Sequence, residues 1–170
     1  MNLIQNIDFA NIASAFASGT GQFVQLFEPQ ASLFEKEGKG YVIASFGKES
    51  GKLPYTDFIA KQSFIKKNPD TIQKFANAIQ RAQRWVQDKS VNEIADAVKS
   101  YFPDTDIGIV RSVVQRYKEQ GSYAADPIVD EEEWNNLKDV LSKAGELKGT
   151  ADYKTLVDNS FAAKAKSAVK

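Results

Sequence analysis

The sequence predicts an α/β protein in which a small βαβ unit precedes a helix-rich carboxyl-terminal region. Three observations predict this class. Short apolar runs alternate with helix-like runs over the first fifty residues. A polar, glycine-bearing loop over residues 47–54 ends that alternation. Beyond about residue 60, the apolar residues recur only at helical spacing.

The stretch over residues 22–29 is the one around which the rest of the chain is organised. Residues 22–27 are rich in aromatic and aliphatic side chains, and this composition predicts a buried strand. Glu28 lies where that strand ends, and Pro29 follows at once. A carboxylate in this place lies at the rim of a sheet, where open α/β sheets bind ligands. The alternative is that Glu28 is a solvated turn residue before a proline.

Two further short runs, residues 2–6 and 41–46, also have the composition of strands. Residues 55–60 form another extended segment. The helices are predicted from apolar spacing, caps and glycine stops. They cover residues 9–18, 30–37, 69–88, 91–102, 106–120 and about 131–144, with a last helix from about residue 158. The predicted apolar face of the longest helix consists of Ile72, Phe75, Ala76, Ile79, Ala82 and Val86.

The composition excludes several classes of function. Lys+Arg and Asp+Glu each number 22, and the net charge of zero argues against a dedicated nucleic-acid or anionic-membrane surface. The chain has no cysteine and no histidine, so disulfides, thiolate metal sites and Ser-His-Asp or HExxH chemistry are impossible within it. We therefore expect a binding protein without enzymatic activity, cofactor or metal.

The amino-terminal residues lack the features of a targeting segment. No run approaches the ~18 apolar residues that a membrane helix needs. Residues 1–6 lack the basic region and apolar core of a signal peptide. They have instead the composition of a strand, which suggests that the chain is part of a longer protein.

Several short runs, in order along nearly the whole chain, resemble one protein family. The first half of the likeness consists of Ala15-Phe16-Ala17-Ser18-Gly19, Phe27-Glu28-Pro29 and Leu53-Pro54-Tyr55-Thr56. The second half consists of Phe64-Ile65-Lys66-Lys67-Asn68-Pro69-Asp70, Trp85-Val86, Ala124-Ala125-Asp126-Pro127, Ala144-Gly145-Glu146-Leu147 and Leu156-Val157-Asp158-Asn159-Ser160-Phe161. Together they resemble the carboxyl-terminal half of the substrate-binding proteins of ABC importers. The most similar group serves nitrate, sulfonates, taurine and thiamine pyrimidine precursors.

The resemblance implies part of a type II periplasmic-binding-protein fold, in which two α/β lobes enclose a ligand cleft. Residues 1–53 are then the later part of the second lobe. Residues 54–61 are the interlobe crossover strand, and residues 62–170 form a helical region that packs on the first lobe. The missing partner is the amino-terminal lobe. Because its sheet is absent, we expect this chain to expose apolar surface and to associate with itself.

The function implied by the resemblance is that of a solute-binding component of an ABC importer. It binds a small organic solute between the lobes and delivers it to a membrane permease. Its expected location is extracytoplasmic, in the periplasm or at the cell surface as a lipoprotein. Two alternatives remain open. One is an enzyme of thiamine-pyrimidine biosynthesis with the same fold, whose chemistry depends on the histidine that this chain lacks. The other is a stand-alone helical interaction module.

The resemblance also implies the ligand-binding residues, because the Glu-Pro position of the family faces the cleft. It assigns Glu28 to the ligand, with Phe27 as an aromatic wall and the hydroxyls of Tyr55 and Thr56 from the crossover. A carboxylate favours ligands with N–H donors or positive charge, such as an aminopyrimidine or an amine. The alternatives are that Glu28 caps backbone N–H groups locally and that Tyr55 and Thr56 are ordinary strand residues.

Overall fold

The computed structural model describes residues 2–169, which form two compact units. The first unit comprises residues 2–45 and 91–117, and the second comprises residues 46–90 and 118–169. Two 3-10 turns, Phe9–Asn11 and Lys99–Tyr101, accompany the helices. The helices are α1 (Ile12–Ala17), α2 (Gln30–Lys36), α3 (Phe46–Glu49), α4 (Gln62–Lys67), α5 (Pro69–Asp88), α6 (Val91–Val98), α7 (Ile107–Glu119), α8 (Glu131–Lys143), α9 (Tyr153–Leu156) and α10 (Ser160–Ala168).

The core of the first unit is formed by α2, α6 and α7. Phe34 is the buried apolar residue of α2, and its ring stacks on that of Phe16 with 6.2 Å between the centroids. Apolar residues of the two later helices complete this core, because their spacing puts them on one helix face. These residues are Ile94, Ala95, Ile109, Val110 and Val114.

In the second unit, α10 packs against α5, and four residues of the predicted apolar face of α5, Ile72, Ala76, Ile79 and Val86, are half-buried. None of its six residues is buried, and Phe75 is 44% exposed. The buried residue of α5 is Gln80, which is 3% exposed. Amides of the same helix, Gln73, Gln83 and Gln87, donate to the backbone carbonyls of Phe161, Asp126 and Tyr123 at 3.1, 3.2 and 2.9 Å.

The segment beside α5 has an irregular backbone. Residues 120–130 contain no helix or strand, so their carbonyl groups need side-chain donors. Lys118 performs a similar task at the carboxyl end of α5, donating to the carbonyls of Val86 at 2.8 Å and Lys89 at 2.7 Å. An ammonium in this position also complements the helix dipole.

The predicted α/β class and its βαβ unit are not confirmed. Residues 2–169 contain no β-strand. Residues 2–6, 22–27 and 55–60 have no regular secondary structure, and residues 41–45 also lack it, while Phe46 begins α3. A strand forms only when another strand satisfies its backbone N–H and C=O groups. No segment in this part of the chain supplies that ladder, so a strand-like composition is insufficient.

Each predicted helix is present, although those expected over residues 9–18 and 91–102 each include a 3-10 turn. The helix expected over residues 69–88 runs from Pro69 to Asp88, and that expected over residues 106–120 runs from Ile107 to Glu119. Two glycines that follow helices α7 and α8, Gly121 and Gly145, have φ angles of +72° and +76°, the left-handed conformation that glycine adopts without strain. The short helices α3, α4 and α9 were not predicted, because four to six residues carry too little periodicity.

Two of the runs that carry the family resemblance have a structural role in the second unit. Asn159 donates to the Val129 carbonyl at 2.9 Å and accepts the Val129 N–H at 3.1 Å. Its amide also donates to the Tyr153 hydroxyl at 2.9 Å, and that hydroxyl donates to the same carbonyl at 2.7 Å. Asp126 accepts the Ile128 N–H at 3.1 Å and pairs with Lys166 at 2.7 Å. These contacts fix the irregular segment that precedes α8.

We expect the substitution Asn159→Ala to lower the free energy of unfolding by about 2 kcal/mol, because the half-buried Val129 N–H loses its partner and the Val129 carbonyl keeps only the Tyr153 hydroxyl as donor. Urea unfolding followed by circular dichroism measures this change. The matched control is Asn135→Ala on the exposed surface of α8, which should change stability by less than about 0.5 kcal/mol. Equal effects of the two substitutions would contradict the assigned role.

Candidate functional site

Glu28 lies immediately before the cis peptide bond to Pro29 and is almost fully buried. Its side chain is 5% exposed. Oε2 accepts the backbone N–H of Ser32 at 3.0 Å, and Oε1 accepts the Ser32 hydroxyl at 3.1 Å. The carboxylate therefore caps a backbone N–H of the first turn of α2. This is the local role that the sequence offered as the alternative to ligand contact.

Arg116 of α7 joins Glu28 to a second carboxylate. Its Nη1 lies 2.9 Å from Glu28 Oε1, and its Nη2 lies 2.5 Å from Glu35 Oε2. The Arg116 side chain is 28% exposed. Both carboxylates come from the α2 region, so the guanidinium fixes α2 to α7 within the first unit. We call these three side chains the Arg116 cluster.

The other oxygen of Glu35 organises the segment after α2. Glu35 Oε1 accepts the Val42 N–H at 2.9 Å. This hydrogen bond and the Arg116 guanidinium hold the pKa of Glu35 below its ordinary value of 4.5, against an opposing contribution from partial burial. A carboxylate with a lowered pKa in the folded state stabilises the fold when it is ionised.

The lowered pKa predicts an acid-sensitive contribution to stability. The stabilisation from Glu35 is fully present above pH 4.5 and is lost as the pH falls through the lower pKa of the folded state. We expect thermal unfolding of Glu35→Gln to depend less steeply on pH below 4.5 than that of the wild-type chain. A series of melts between pH 3 and 7 measures this. Parallel curves for the two chains would contradict it.

Two aromatic rings of the first unit pack on each other, and one of them belongs to the residue before Glu28. Phe27 precedes Glu28, and its ring centroid is 5.8 Å from that of Phe9, with 52° between the planes. Phe27 is 40% exposed and Phe9 is more exposed still. The pair therefore offers exposed apolar surface at the chain position before Glu28.

Tyr55 and Thr56 lie in the second unit, in the irregular segment between α3 and α4. Both side chains are exposed. Phe27 and Glu28 lie in the first unit, whereas Tyr55 and Thr56 lie in the second.

Surface recesses of the second unit involve other residues. One, of about 290 Å³, lies between α5 and α10, and one of about 630 Å³ lies beside the start of α8. None of the four predicted site residues lines either recess. Among residues 2–169, no group of three or more acidic side chains could hold a metal ion.

Comparison with known proteins assigns a family. Residues 3–100, more than half of the chain, match the NMT1-like family. The chain belongs to the NMT1-like family. The segment matched contains Phe27, Glu28, Tyr55 and Thr56, and also α2 with Ser32 and Glu35. The resemblance to substrate-binding proteins of this group is therefore confirmed at the level of the family.

A curated relative extends the likeness beyond the segment that matches the NMT1-like family. The chain is 55% identical over 167 residues to a Bacillus subtilis (strain 168) protein named "Putative binding protein YtlA". The alignment covers 98% of this chain and 50% of the relative, so the chain spans about half the length of the curated relative it matches. No solved structure matches the chain. In the part that the structure describes, no helix is long and apolar enough to span a lipid bilayer.

Sequence reasoning missed three residues that contact Glu28 or share its arginine: Ser32, Glu35 and Arg116. Glu28, Ser32 and Glu35 are four and then three positions apart, a spacing that puts polar side chains on one face of a helix. That spacing is a signal that could have grouped them. Arg116 had no such signal, because it lies on another helix and follows Val113 and Val114, which read as core.

Proposed function

We propose that this NMT1-like chain is a solute-binding component of an ABC importer and not an enzyme. It binds a small organic solute and delivers it to a membrane permease from an extracytoplasmic position, in the periplasm or as a surface lipoprotein. The observation that carries this proposal is the 55% identity, over 98% of the chain, to a relative named as a binding protein. The family match supports the same class, and the lack of cysteine and histidine fits a protein that performs no chemistry.

The domain organisation is part of the proposal. Residues 1–53 belong to the second lobe of a type II fold, residues 54–61 cross between lobes, and residues 62–170 pack on the first lobe. The partner that completes the cleft is an amino-terminal lobe. The alignment covers 50% of the relative, which supports a partner region about as long as this chain.

The proposed ligand contacts are Phe27, Glu28, Tyr55 and Thr56. Phe27 supplies an aromatic wall beside the carboxylate, and its partial exposure supports this role. Glu28 accepts an N–H from the solute, while Tyr55 and Thr56 contribute hydroxyl groups. The exposure of Tyr55 and Thr56 leaves both accessible to a solute.

Native mass spectrometry of the protein purified from its host tests the proposed function. We expect a small organic solute to co-purify with the folded protein and to be lost on denaturation. Protein that carries no solute, and that binds none from the host's growth medium in a thermal-shift screen, would overturn the proposal.

We expect the purified 170-residue chain to associate with itself. The strand-like segments expose large apolar side chains, among them Tyr41, Ile43, Phe58 and Ile59, the last 96% exposed. Apolar surface of this kind without a covering partner promotes association. Analytical ultracentrifugation and binding of an apolar-surface dye measure this. A monomer at all concentrations without dye binding would contradict it.

A stand-alone helical interaction module is the second candidate. The all-helical secondary structure of residues 2–169 favours it over an enzyme of thiamine-pyrimidine biosynthesis. The same mass spectrometry distinguishes it, because a module of this kind carries a protein partner and no solute.

A further inference from the structure

The hydrogen-bond capacity of Glu28 is almost fully used within the first unit. An ionised carboxylate offers about four acceptor positions, two on each oxygen. Oε1 faces both the Arg116 guanidinium and the Ser32 hydroxyl, at 2.9 and 3.1 Å. Oε2 accepts the Ser32 N–H at 3.0 Å and has no second donor among residues 2–169. One acceptor position therefore remains, on Oε2.

The charge of Glu28 is also balanced from inside. Arg116 lies against it in a setting where the carboxylate is 5% exposed. A buried ion pair of this kind has already met the cost of desolvating its charges. Glu35 shares the same guanidinium, but it accepts the Val42 N–H and its side chain is 33% exposed, so solvent screens its excess charge. A cation gains little at Glu28, whereas a neutral N–H donor gains one hydrogen bond.

We propose that Arg116 is a specificity-determining residue of the solute site, and that it makes Glu28 select neutral N–H donors over cations. The inference rests on the proposed function, because it assumes that Glu28 contacts the solute. Arg116 acts through Glu28 as a positioning residue and does not touch the solute itself. The solute class that fits is a neutral planar amide, whose N–H groups donate to the remaining acceptor position of Glu28.

Benzamide and benzamidinium test this inference, because they have similar size and shape and differ in charge. We expect the wild-type protein to bind benzamide at least tenfold more tightly than benzamidinium in ligand-detected NMR titrations at pH 7.5. In Arg116→Gln, Glu28 keeps its charge without a partner. We therefore expect the ratio of the two dissociation constants to shift at least tenfold toward benzamidinium.

Two variants separate this role from a structural one. Arg116→Lys keeps the positive charge and should keep the wild-type order of the two probes. Arg111→Gln removes the same charge from the same helix but from the exposed pair with Asp96, at 3.4 Å, and should leave the ratio unchanged. Circular dichroism verifies that each variant is folded. If Arg116→Gln does not fold, the ratios of the two dissociation constants in the wild-type protein and in Arg116→Lys test the inference.

The inference is overturned if the wild-type protein prefers benzamidinium or binds neither probe. It is also overturned if a folded Arg116→Gln keeps the wild-type ratio. These outcomes differ from failure of the proposed function, in which no solute co-purifies with the protein. A co-purified solute together with an unchanged probe ratio removes the role of Arg116 alone.

Discussion

Replacement of Arg116 by methionine is expected to lower the free energy of unfolding by about 3 kcal/mol. Methionine keeps the apolar stem of the side chain and removes the guanidinium that joins Glu28 to Glu35. Removing one partner of a buried ion pair leaves an uncompensated charge, which typically costs about 3–5 kcal/mol. We expect the lower end of that range because Glu35 remains partly exposed and hydrated. Urea denaturation at pH 7 measures the change.

The same helix provides a matched control. Arg111→Met breaks only the exposed pair with Asp96 and should cost less than about 1 kcal/mol. Adding Glu28→Gln to Arg116→Met removes the unpaired charge and should restore about half of the lost stability. If Arg116→Met and Arg111→Met have the same effect, the Arg116 cluster does not stabilise the first unit.

The helices could be predicted because their signals are local. Pro69 sits at the first position of α5, and apolar spacing together with a glycine stop delimits α7. These signals depend on residues within a turn or two of each other. The residues that pack against each helix face come from distant parts of the chain, so local sequence does not indicate them. Gln80 is the buried residue of α5, and Gln83 of the same helix donates to the Asp126 carbonyl in the irregular segment beside it, a contact that depends on the tertiary structure.

The predicted strands are absent from residues 2–169 for a similar reason, because strand pairing is not local either. Residues 22–27 and 41–45 have the composition of buried strands, but a strand is a property of at least two segments. The 50% coverage of the relative is consistent with our proposal that an amino-terminal lobe supplies the other segments. In the described residues the same side chains remain as exposed apolar surface.

Of the contacts of Glu28, the local cap could be predicted from the sequence and the ion pair with Arg116 could not. The position after an apolar run and before Pro29 marked it as unusual, and both a ligand contact and a local cap were inferred. The local cap is present as the Ser32 N–H hydrogen bond. Arg116 could not be inferred, because only folding brings α7 beside α2. The charge balance of the site therefore had to come from the structure.

Glu28→Gln is expected to weaken solute binding by about 1.5–3 kcal/mol, which is about 10- to 150-fold in Kd. Arg116, the Ser32 hydroxyl and the Ser32 N–H all place donors against the two carboxylate oxygens. A glutamine must direct its NH₂ group toward one of these donors or toward the solute N–H. Either arrangement removes the charge-assisted acceptor that the proposed contact uses. Calorimetry with the co-purified solute, on protein produced by its host, measures the loss.

Glu35→Gln is the matched control for this experiment, because it changes the same chemical group on the same arginine without a proposed solute contact. We expect its Kd to stay within about twofold of the wild-type value, a difference of less than about 0.5 kcal/mol. An equal loss in both variants would mean that binding depends on the integrity of the Arg116 cluster and not on Glu28 itself. Unchanged affinity in Glu28→Gln would assign the Glu28 carboxylate to the support of α2 alone, and the solute contacts of the first unit would then be those of the Phe27 ring.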